Sequence, residues 1–113
     1  VLTTEEALDI LKESQNVKQE RTNTVLNEGY PSYTTAAGWL GYSDEKTIDL
    51  CKQYMARGWR HFKIKVGLDL DADIKRLELI RRTIGDECFI MVDANQQWNV
   101  EQSIKHINAY KKI

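Results

Sequence analysis

The sequence predicts an α/β protein in which consecutive parallel βα units form part of a (β/α)8 (TIM-like) barrel, preceded by N-terminal helices. Two runs, at 62–67 and 89–95, are rich in β-branched and aromatic residues and indicate short strands. The segment between them has helical periodicity, so the whole is a β-α-β unit whose strands are expected to be parallel. Because no glycine-rich phosphate loop follows a predicted strand, the barrel is favoured over a nucleotide-binding open sheet.

Residues 1–29 are predicted to form a helical lead-in segment. Thr3 and Glu6 have the spacing of a capping box and would start a short helix. A second, largely polar helix is predicted over 15–28, with Gly29 just past its end. Pro31 then breaks the helical pattern, because proline disfavours the helical conformation of the residue before it.

Residues 30–113 are predicted to contain the first three βα units of an incomplete barrel. The expected elements are, in order, a strand over 32–39, a helix from Ser43 or Asp44 to about Arg57, the strand at 62–67, a helix opened by Asp69 or Asp71 and ended by Gly85, the strand at 88–93, and a helix capped by Asn99 with Gln102. A complete barrel needs about 200 residues or more. Since the chain has 113 residues and begins with Val1, we expect a fragment or a processed product of a longer parent.

The composition is that of an ordinary globular protein, with 42% apolar and 29% charged residues. A formal net charge of -1 gives no electrostatic basis for binding nucleic acid or an anionic membrane. No apolar run is long enough for a membrane span, and no targeting signal is visible. Cys51 and Cys88 form no CxxC pair, so free buried thiols in a reducing compartment, cytoplasmic or mitochondrial, are expected.

The strand at 62–67 carries the first candidate for chemistry. Side chains alternate along a strand, so Phe62, Ile64 and Val66 share one face, and Lys63 and Lys65 share the other. If the apolar face packs on helices, the two lysines point towards the barrel interior. Partial burial and mutual repulsion would lower a lysine pKa towards the range of a general base.

The second candidate lies at the end of the strand at 88–93. Catalytic groups of barrel enzymes sit at the carboxyl ends of strands, and Asp93 and Asn95 occupy that position. Their oxygens are hard ligands of the kind that Mg²⁺ selects. A base, a divalent ion and a carboxylate together suit proton abstraction alpha to a carboxylate, which creates an enediolate. One Asp cannot hold Mg²⁺ alone, so further ligands would come from strands outside this chain.

Each of these residues also has a structural interpretation. A Lys-x-Lys strand is often solvated or protects a sheet edge. An Asp-Ala-Asn sequence after a strand is often a turn or a helix cap. Trp39 is either a packing residue or part of a pocket mouth. The occurrence of the candidates at corresponding ends of successive strands favours the functional interpretation.

The chain resembles the enolase superfamily, in its mandelate-racemase-like branch, at two motifs. These are Lys-Ile-Lys-Val-Gly at 63–67 and Met-Val-Asp-Ala-Asn at 91–95. Two other segments are similar to the L-fuconate dehydratases of that superfamily: Gly-Tyr-Pro-Ser-Tyr-Thr-Thr at 29–35 and Trp-Leu-Gly-Tyr-Ser-Asp at 39–44. The similarity extends over nearly the whole chain.

The resemblance implies roles for individual residues. Lys65 would be the base that removes the alpha proton of a small-molecule sugar acid, and Lys63 would tune it and contact the substrate carboxylate. Asp93 would be the first of three Mg²⁺ ligands, with Asn95 as the polar residue beside it and Trp39 among the substrate-binding residues. The implied activity is that of a carbon–oxygen hydro-lyase that converts L-fuconate to 2-keto-3-deoxy-L-fuconate, in a parent that could be a homo-oligomer.

The departures from the family pattern define the alternatives. The two later carboxylate ligands and the His-Asp acid pair of the family would lie beyond Ile113, and its capping domain would lie before Val1. The chain alone is therefore expected to be inactive. A racemase or epimerase of the same superfamily, or a non-catalytic truncated isoform that acts as a binding or regulatory protein, are the other interpretations.

Overall fold

A computed structural model describes residues 1–113, which divide into two compact units, Val1–Pro31 and Ser32–Ile113. The first unit consists of helix α1 (Thr4–Ser14), a 3₁₀ turn (Gln15–Val17) and helix α2 (Lys18–Glu28). The predicted capping box of Thr3 and Glu6 is present, and Gly29 ends α2 in the left-handed region with φ 78°. None of the residues in these three elements is buried.

The second unit contains the predicted β-α-β arrangement. Its elements are helix α3 (Asp44–Ala56), strand β1 (His61–Lys65), helix α4 (Leu70–Ile84), strand β2 (Phe89–Asp93) and helix α5 (Val100–Tyr110). The two strands are parallel, and Lys65 lies opposite Asp93 in the register. The side chains of Ser43, Asp69 and Asn99 cap α3, α4 and α5, as their sequence positions predict.

The predicted strand over 32–39 is wrong, because only Thr34 makes a bridge to β1, opposite Phe62. After Thr34 the chain turns: the Thr34 hydroxyl accepts from the Ala36 N–H at 3.1 Å, and the Gly38 N–H donates to the Thr35 carbonyl at 2.9 Å. These local hydrogen bonds compete with an extended conformation. The Gly38 carbonyl then accepts from the Lys65 N–H at 2.9 Å, so the turn stays against β1.

The core lies between the apolar face of the sheet and the helices. Phe62, Ile64 and Val66 are at most 3% exposed, which confirms the predicted alternation along β1. They pack with Cys51 of α3 and with a stripe of α4, and each large apolar side chain buried in this way contributes about 1.5 to 3 kcal/mol. The buried stripe of α4 comprises Leu77, Ile80 and Ile84.

Both cysteines are buried and free, as predicted. Burial, together with the nearby Cys88, raises the pKa of the Cys51 thiol to about 11, so this thiol is protonated at neutral pH. No helix of this chain has the length and apolar character needed to cross a bilayer.

Candidate active site

Lys63, Lys65 and Asp93 come together at the carboxyl ends of β1 and β2. The Lys63 Nζ lies 3.0 Å and the Lys65 Nζ 2.8 Å from the same Asp93 Oδ2 atom. The three side chains are between 23% and 30% exposed, so solvent still reaches them. This convergence follows from the parallel register, which places Lys65 beside Asp93 on the face opposite the core.

Asn95 closes a turn around the Asp93 carboxylate. Its N–H donates to Asp93 Oδ1 at 2.9 Å, the side-chain-to-backbone bond expected of an Asp at a turn. Asn95 itself has φ 49°, a left-handed conformation that asparagine tolerates better than most residues. In this conformation its Oδ1 accepts a hydrogen bond from the Lys65 ammonium group.

The charges of the site perturb its pKa values. Hydrogen bonds from Lys65, from the Asn95 N–H and from Lys63 hold the pKa of Asp93 well below its ordinary value. Asp93, and to a lesser extent Tyr33, raise the pKa of Lys63. The predicted lowering of the lysine pKa is therefore wrong for Lys63, because its hydrogen bond with the Asp93 carboxylate outweighs the effect of desolvation.

The site opens into a cleft of about 390 Å³. Its lining residues are Thr35, Ala36, Gly38, Trp39, Tyr42, Lys63, Lys65 and Asp93. Trp39 is one of these lining residues, and 59% of its surface is exposed. A Cβ on residue 38 would lie 2.2 Å from the Lys63 carbonyl oxygen, so the close approach of this turn to β1 requires glycine.

Sequence reasoning missed Tyr33 as a neighbour of the lysine pair. Its hydroxyl lies 3.5 Å from the Lys63 Nζ, which is also 5.1 Å from the centre of the Tyr33 ring. Thr34 is buried where it bridges to β1, so the alternation of an extended segment places Tyr33 on the opposite face, with the lysines. That alternation was the available signal.

The residues of this chain do not fit a magnesium ion by themselves. Asp93 is the one carboxylate that lines the cleft, and its Oδ2 atom is paired with two ammonium groups. Nowhere in the 113 residues do three or more His, Cys, Asp or Glu side chains group to hold a metal. A carboxylate-based Mg²⁺ site requires more oxygen ligands than this chain brings together.

Comparison with known proteins identifies the family of this chain. Residues 46–113 match the model of the enolase C-terminal domain-like family. The chain is 46% identical, over its whole length, to mitochondrial enolase superfamily member 1 of Homo sapiens, whose crystal structure it matches with a TM-score of 0.81 over 98% of this chain. It is 41% identical to L-galactonate dehydratase of Hypocrea jecorina over 97% of its length. It spans 26% of each of these two relatives, and 25% of the chain in the crystal structure.

More distant relatives have other activities in their names. The crystal structure of L-talarate dehydratase from Polaromonas sp. JS666, complexed with Mg and L-glucarate, matches 74% of this chain and 25% of its own, with a TM-score of 0.66 and 29% identity. L-Ala-D/L-Glu epimerase of Clostridium acetobutylicum is 43% identical over 45% of this chain and 14% of its own length. The match to the family model and the identity to longer relatives confirm the resemblance seen at the lysine and aspartate motifs: the chain belongs to the enolase superfamily, as an enolase C-terminal domain-like member.

Proposed function

We propose that this chain supplies the base-bearing strands of an acid-sugar dehydratase, as the first βα units of a (β/α)8 barrel. One observation carries the proposal: two lysines share one aspartate oxygen at the carboxyl ends of parallel strands, on an open cleft. Barrel enzymes place their catalytic groups at that end of the strands. The dehydratase relatives, whose names refer to sugar acids, support the reaction class.

In the proposed reaction the Nζ of Lys65 accepts the proton from the carbon alpha to the substrate carboxylate. The resulting enediolate loses its 3-hydroxyl, which leaves as water with a proton from an acid elsewhere in the protein. The enol product then tautomerises to a 2-keto-3-deoxy acid. In the structure, the Lys65 ammonium group donates to Asp93 and Asn95. These contacts loosen when Lys65 loses a proton and becomes the neutral amine that acts as the base.

Lys63 has a different proposed role. Because Asp93 and Tyr33 raise its pKa, Lys63 stays a cation at neutral pH and suits the binding of a substrate carboxylate. It thereby stabilises the negative charge that develops when the alpha proton leaves. Asn95 and Trp39 are proposed to contact the substrate, Asn95 through its amide and Trp39 from the mouth of the cleft.

Asp93 is proposed as one ligand of a Mg²⁺ ion whose other ligands lie outside this chain. When bound, Mg²⁺ would supply positive charge to the carboxylate of the substrate. The Asp93 side chain is suited to this because its low pKa keeps it ionised. The solved relative with Mg and L-glucarate supports the choice of metal.

The proposed substrate is L-fuconate, with 2-keto-3-deoxy-L-fuconate as product. L-fuconate is the 6-deoxy counterpart of L-galactonate, so the two acids have the same configuration at the reacting carbons. The relative named L-galactonate dehydratase therefore supports this substrate class.

The test is a chimera in which this chain replaces the matching segment of the Hypocrea L-galactonate dehydratase. We expect a Mg²⁺-dependent 2-keto-3-deoxy product from L-fuconate, and loss of that product in Lys65→Ala and Asp93→Asn. Lys75→Ala, an exposed lysine on α4, is the matched control and should retain activity. A folded chimera that dehydrates L-galactonate but not L-fuconate would overturn the substrate, and one inactive on both acids would overturn the dehydratase.

An epimerase is the second candidate, and the relative from Clostridium favours it. The same assay separates the two reactions, because both begin with alpha-proton abstraction but end differently. An epimerase instead delivers a proton to the opposite face of the enediolate, from an acid elsewhere in the protein, and gives the C2 epimer. Recovery of that epimer without the keto acid would select this alternative.

A further inference from the structure

A buried carboxylate lies behind the lysine site and belongs to none of the roles above. Asp73, in the first turn of α4, is 2% exposed. Its Oδ2 atom accepts a hydrogen bond from the Gly67 N–H at 2.7 Å and another from the Tyr110 hydroxyl of α5 at 3.3 Å. Burial of a carboxylate is costly unless hydrogen-bond donors surround it, so these two contacts offset the cost of burying Asp73.

Gly67 lies in the turn that follows β1, beside the turn that follows β2. It follows Lys65 by two residues and has φ 116°, a conformation that favours glycine. Between them, the Val66 N–H donates to the Asp93 carbonyl at 3.1 Å. A Cβ on Gly67 would lie 3.3 Å from the Ala94 side chain, so the turns after β1 and β2 are in contact here.

Asp73 is held in turn by groups on two helices. The Tyr110 hydroxyl also lies 3.4 Å from His106 Nδ1, which continues the polar chain along α5. Burial and the Asp73 carboxylate raise the pKa of Tyr110, so its phenol remains a neutral donor. The Arg76 guanidinium lies 3.9 Å from the other oxygen of Asp73 and supplies a compensating charge on α4.

An apolar residue at position 73 would fill the same space without needing donors. The carboxylate instead takes its shortest hydrogen bond from the main chain of the turn that follows the proposed base. Its removal would leave the Gly67 N–H without an acceptor and free the turn to shift. A displacement of about 1 Å in a catalytic group can cost about 100-fold in rate.

We infer that Asp73 is a positioning residue, which fixes the turn at Gly67 and so aligns Lys65 with Asp93. The inference rests on the proposed function of Lys65 and Asp93. Asp73 is not one of the residues that line the cleft, and it acts through the main chain of Gly67. Tyr110 donates a hydrogen bond to Asp73 and thereby holds its carboxylate in place.

The activity test uses the chimera with Asp73→Leu, Asp73→Asn and Tyr110→Phe. Asp73→Leu should lower kcat about 100-fold with little change in KM. Asp73→Asn should regain most of that loss, because its amide oxygen can still accept from Gly67. Tyr110→Phe should cause a smaller loss of kcat. Asp71→Leu, an exposed position two residues away on the same helix, is the matched control and should change neither parameter.

A second readout uses the 113-residue chain itself and does not depend on turnover. Amide hydrogen exchange at Gly67 and the carboxyl carbon resonance of Asp93 are followed by NMR in the same variants. Asp73→Leu should lose protection at Gly67 and shift the Asp93 resonance, whereas Asp73→Asn should leave both close to the unmodified chain. Thermal unfolding by circular dichroism shows which variants are folded.

The outcomes separate this inference from the proposed function. An inactive but folded chimera overturns the dehydratase, and the NMR readout then decides the role of Asp73 alone. The positioning role is overturned if Asp73→Leu leaves the Asp93 resonance unchanged. It is also overturned if activity falls only in proportion to the unfolded fraction, or if Asp73→Asn is no better than Asp73→Leu.

Discussion

At the scale of single residues, the Asp93 carboxylate organises the site because its two oxygens have different partners. The Oδ1 atom holds the turn at Asn95, and the Oδ2 atom holds both lysines. Lys63 and Lys65 could be placed on one face from the sequence, because strand alternation is regular. The sharing of one oxygen could not be predicted, since it depends on the register between β1 and β2. For the same reason the lowered lysine pKa, argued from the pair alone, was wrong for Lys63.

The first prediction concerns the protonation of Asp93. Its carboxyl should titrate well below its ordinary value of 3.8, because three hydrogen bonds stabilise the ionised form. The free energy that these contacts add to folding is present above that ordinary value and is lost as the pH falls through the lower, folded-state pKa. The measurement is an NMR titration of the Asp93 carboxyl carbon in the intact chain and in a Lys63→Ala, Lys65→Ala double variant. The double variant should titrate closer to 3.8, and equal titration of the two would refute the pairing.

At the scale of elements, the segment from Ser32 to Ser43 shows where the sequence misleads. Its small and β-branched residues predict a strand over 32–39, yet only Thr34 bridges to β1. The hydroxyl of Thr34 and the turn to Gly38 take the hydrogen bonds that a ladder would need. By contrast, the helices α3 to α5 begin where their caps predict, because a cap is a local interaction of three or four residues.

Gly38 gives the second prediction, at the contact between this turn and β1. A methyl group there would press on the Lys63 carbonyl oxygen at 2.2 Å, and a backbone atom cannot move aside cheaply. Gly38→Ala should therefore destabilise the chain by about 3 kcal/mol. Gly58→Ala is the control: its added methyl group meets open space, so the remaining cost is the strain of the φ of 90°, about 1 to 2 kcal/mol. Urea unfolding of both variants measures the difference, and equal midpoints would contradict the proposed contact.

Arg81 gives the third prediction, because it joins the ends of three elements. Its Nη1 atom donates to the carbonyls of Gly85 at 2.8 Å and Cys88 at 2.7 Å, and its Nε donates to the Ile113 carbonyl at 2.8 Å. Arg81→Ala should cost about 2 kcal/mol of unfolding free energy, since it leaves the partly buried carbonyls of Cys88 and Ile113 without this donor. The neighbouring Arg82→Ala should cost at most about 0.5 kcal/mol, because that side chain is 69% exposed with one long ion pair. Similar losses in the two variants would show that the three contacts contribute little.

At the scale of the whole molecule, the sequence predicted an α/β fold with parallel strands, and it predicted that the two lysines share one face of β1. The β-α-β unit followed from local periodicity, and the lysine and aspartate ends followed from parallel pairing. The barrel remains a prediction, because strand closure depends on long-range pairing that two strands and one bridge do not contain. The same reason leaves one carboxylate where a metal site needs several.

The fourth prediction follows from that single carboxylate. Millimolar Mg²⁺ should leave the thermal unfolding midpoint of the 113-residue chain unchanged, because Asp93 is already paired with two ammonium groups. Asp93→Asn should respond to Mg²⁺ in the same way as the unmodified chain. A saturable rise in the midpoint that Asp93→Asn abolishes would mean that this chain forms a metal site on its own.

The most direct test of the account is whether an amine at position 65 is the base. In the chimera with the Hypocrea dehydratase, Lys65→Cys should lower kcat by about 10²- to 10⁴-fold. Alkylation of that cysteine with bromoethylamine returns an amine at nearly the same position and should restore dehydration of the sugar acid. The unmodified chimera, treated in the same way, controls for alkylation elsewhere. Full activity in Lys65→Cys, or no recovery after confirmed alkylation, would contradict the assignment of Lys65 as the base.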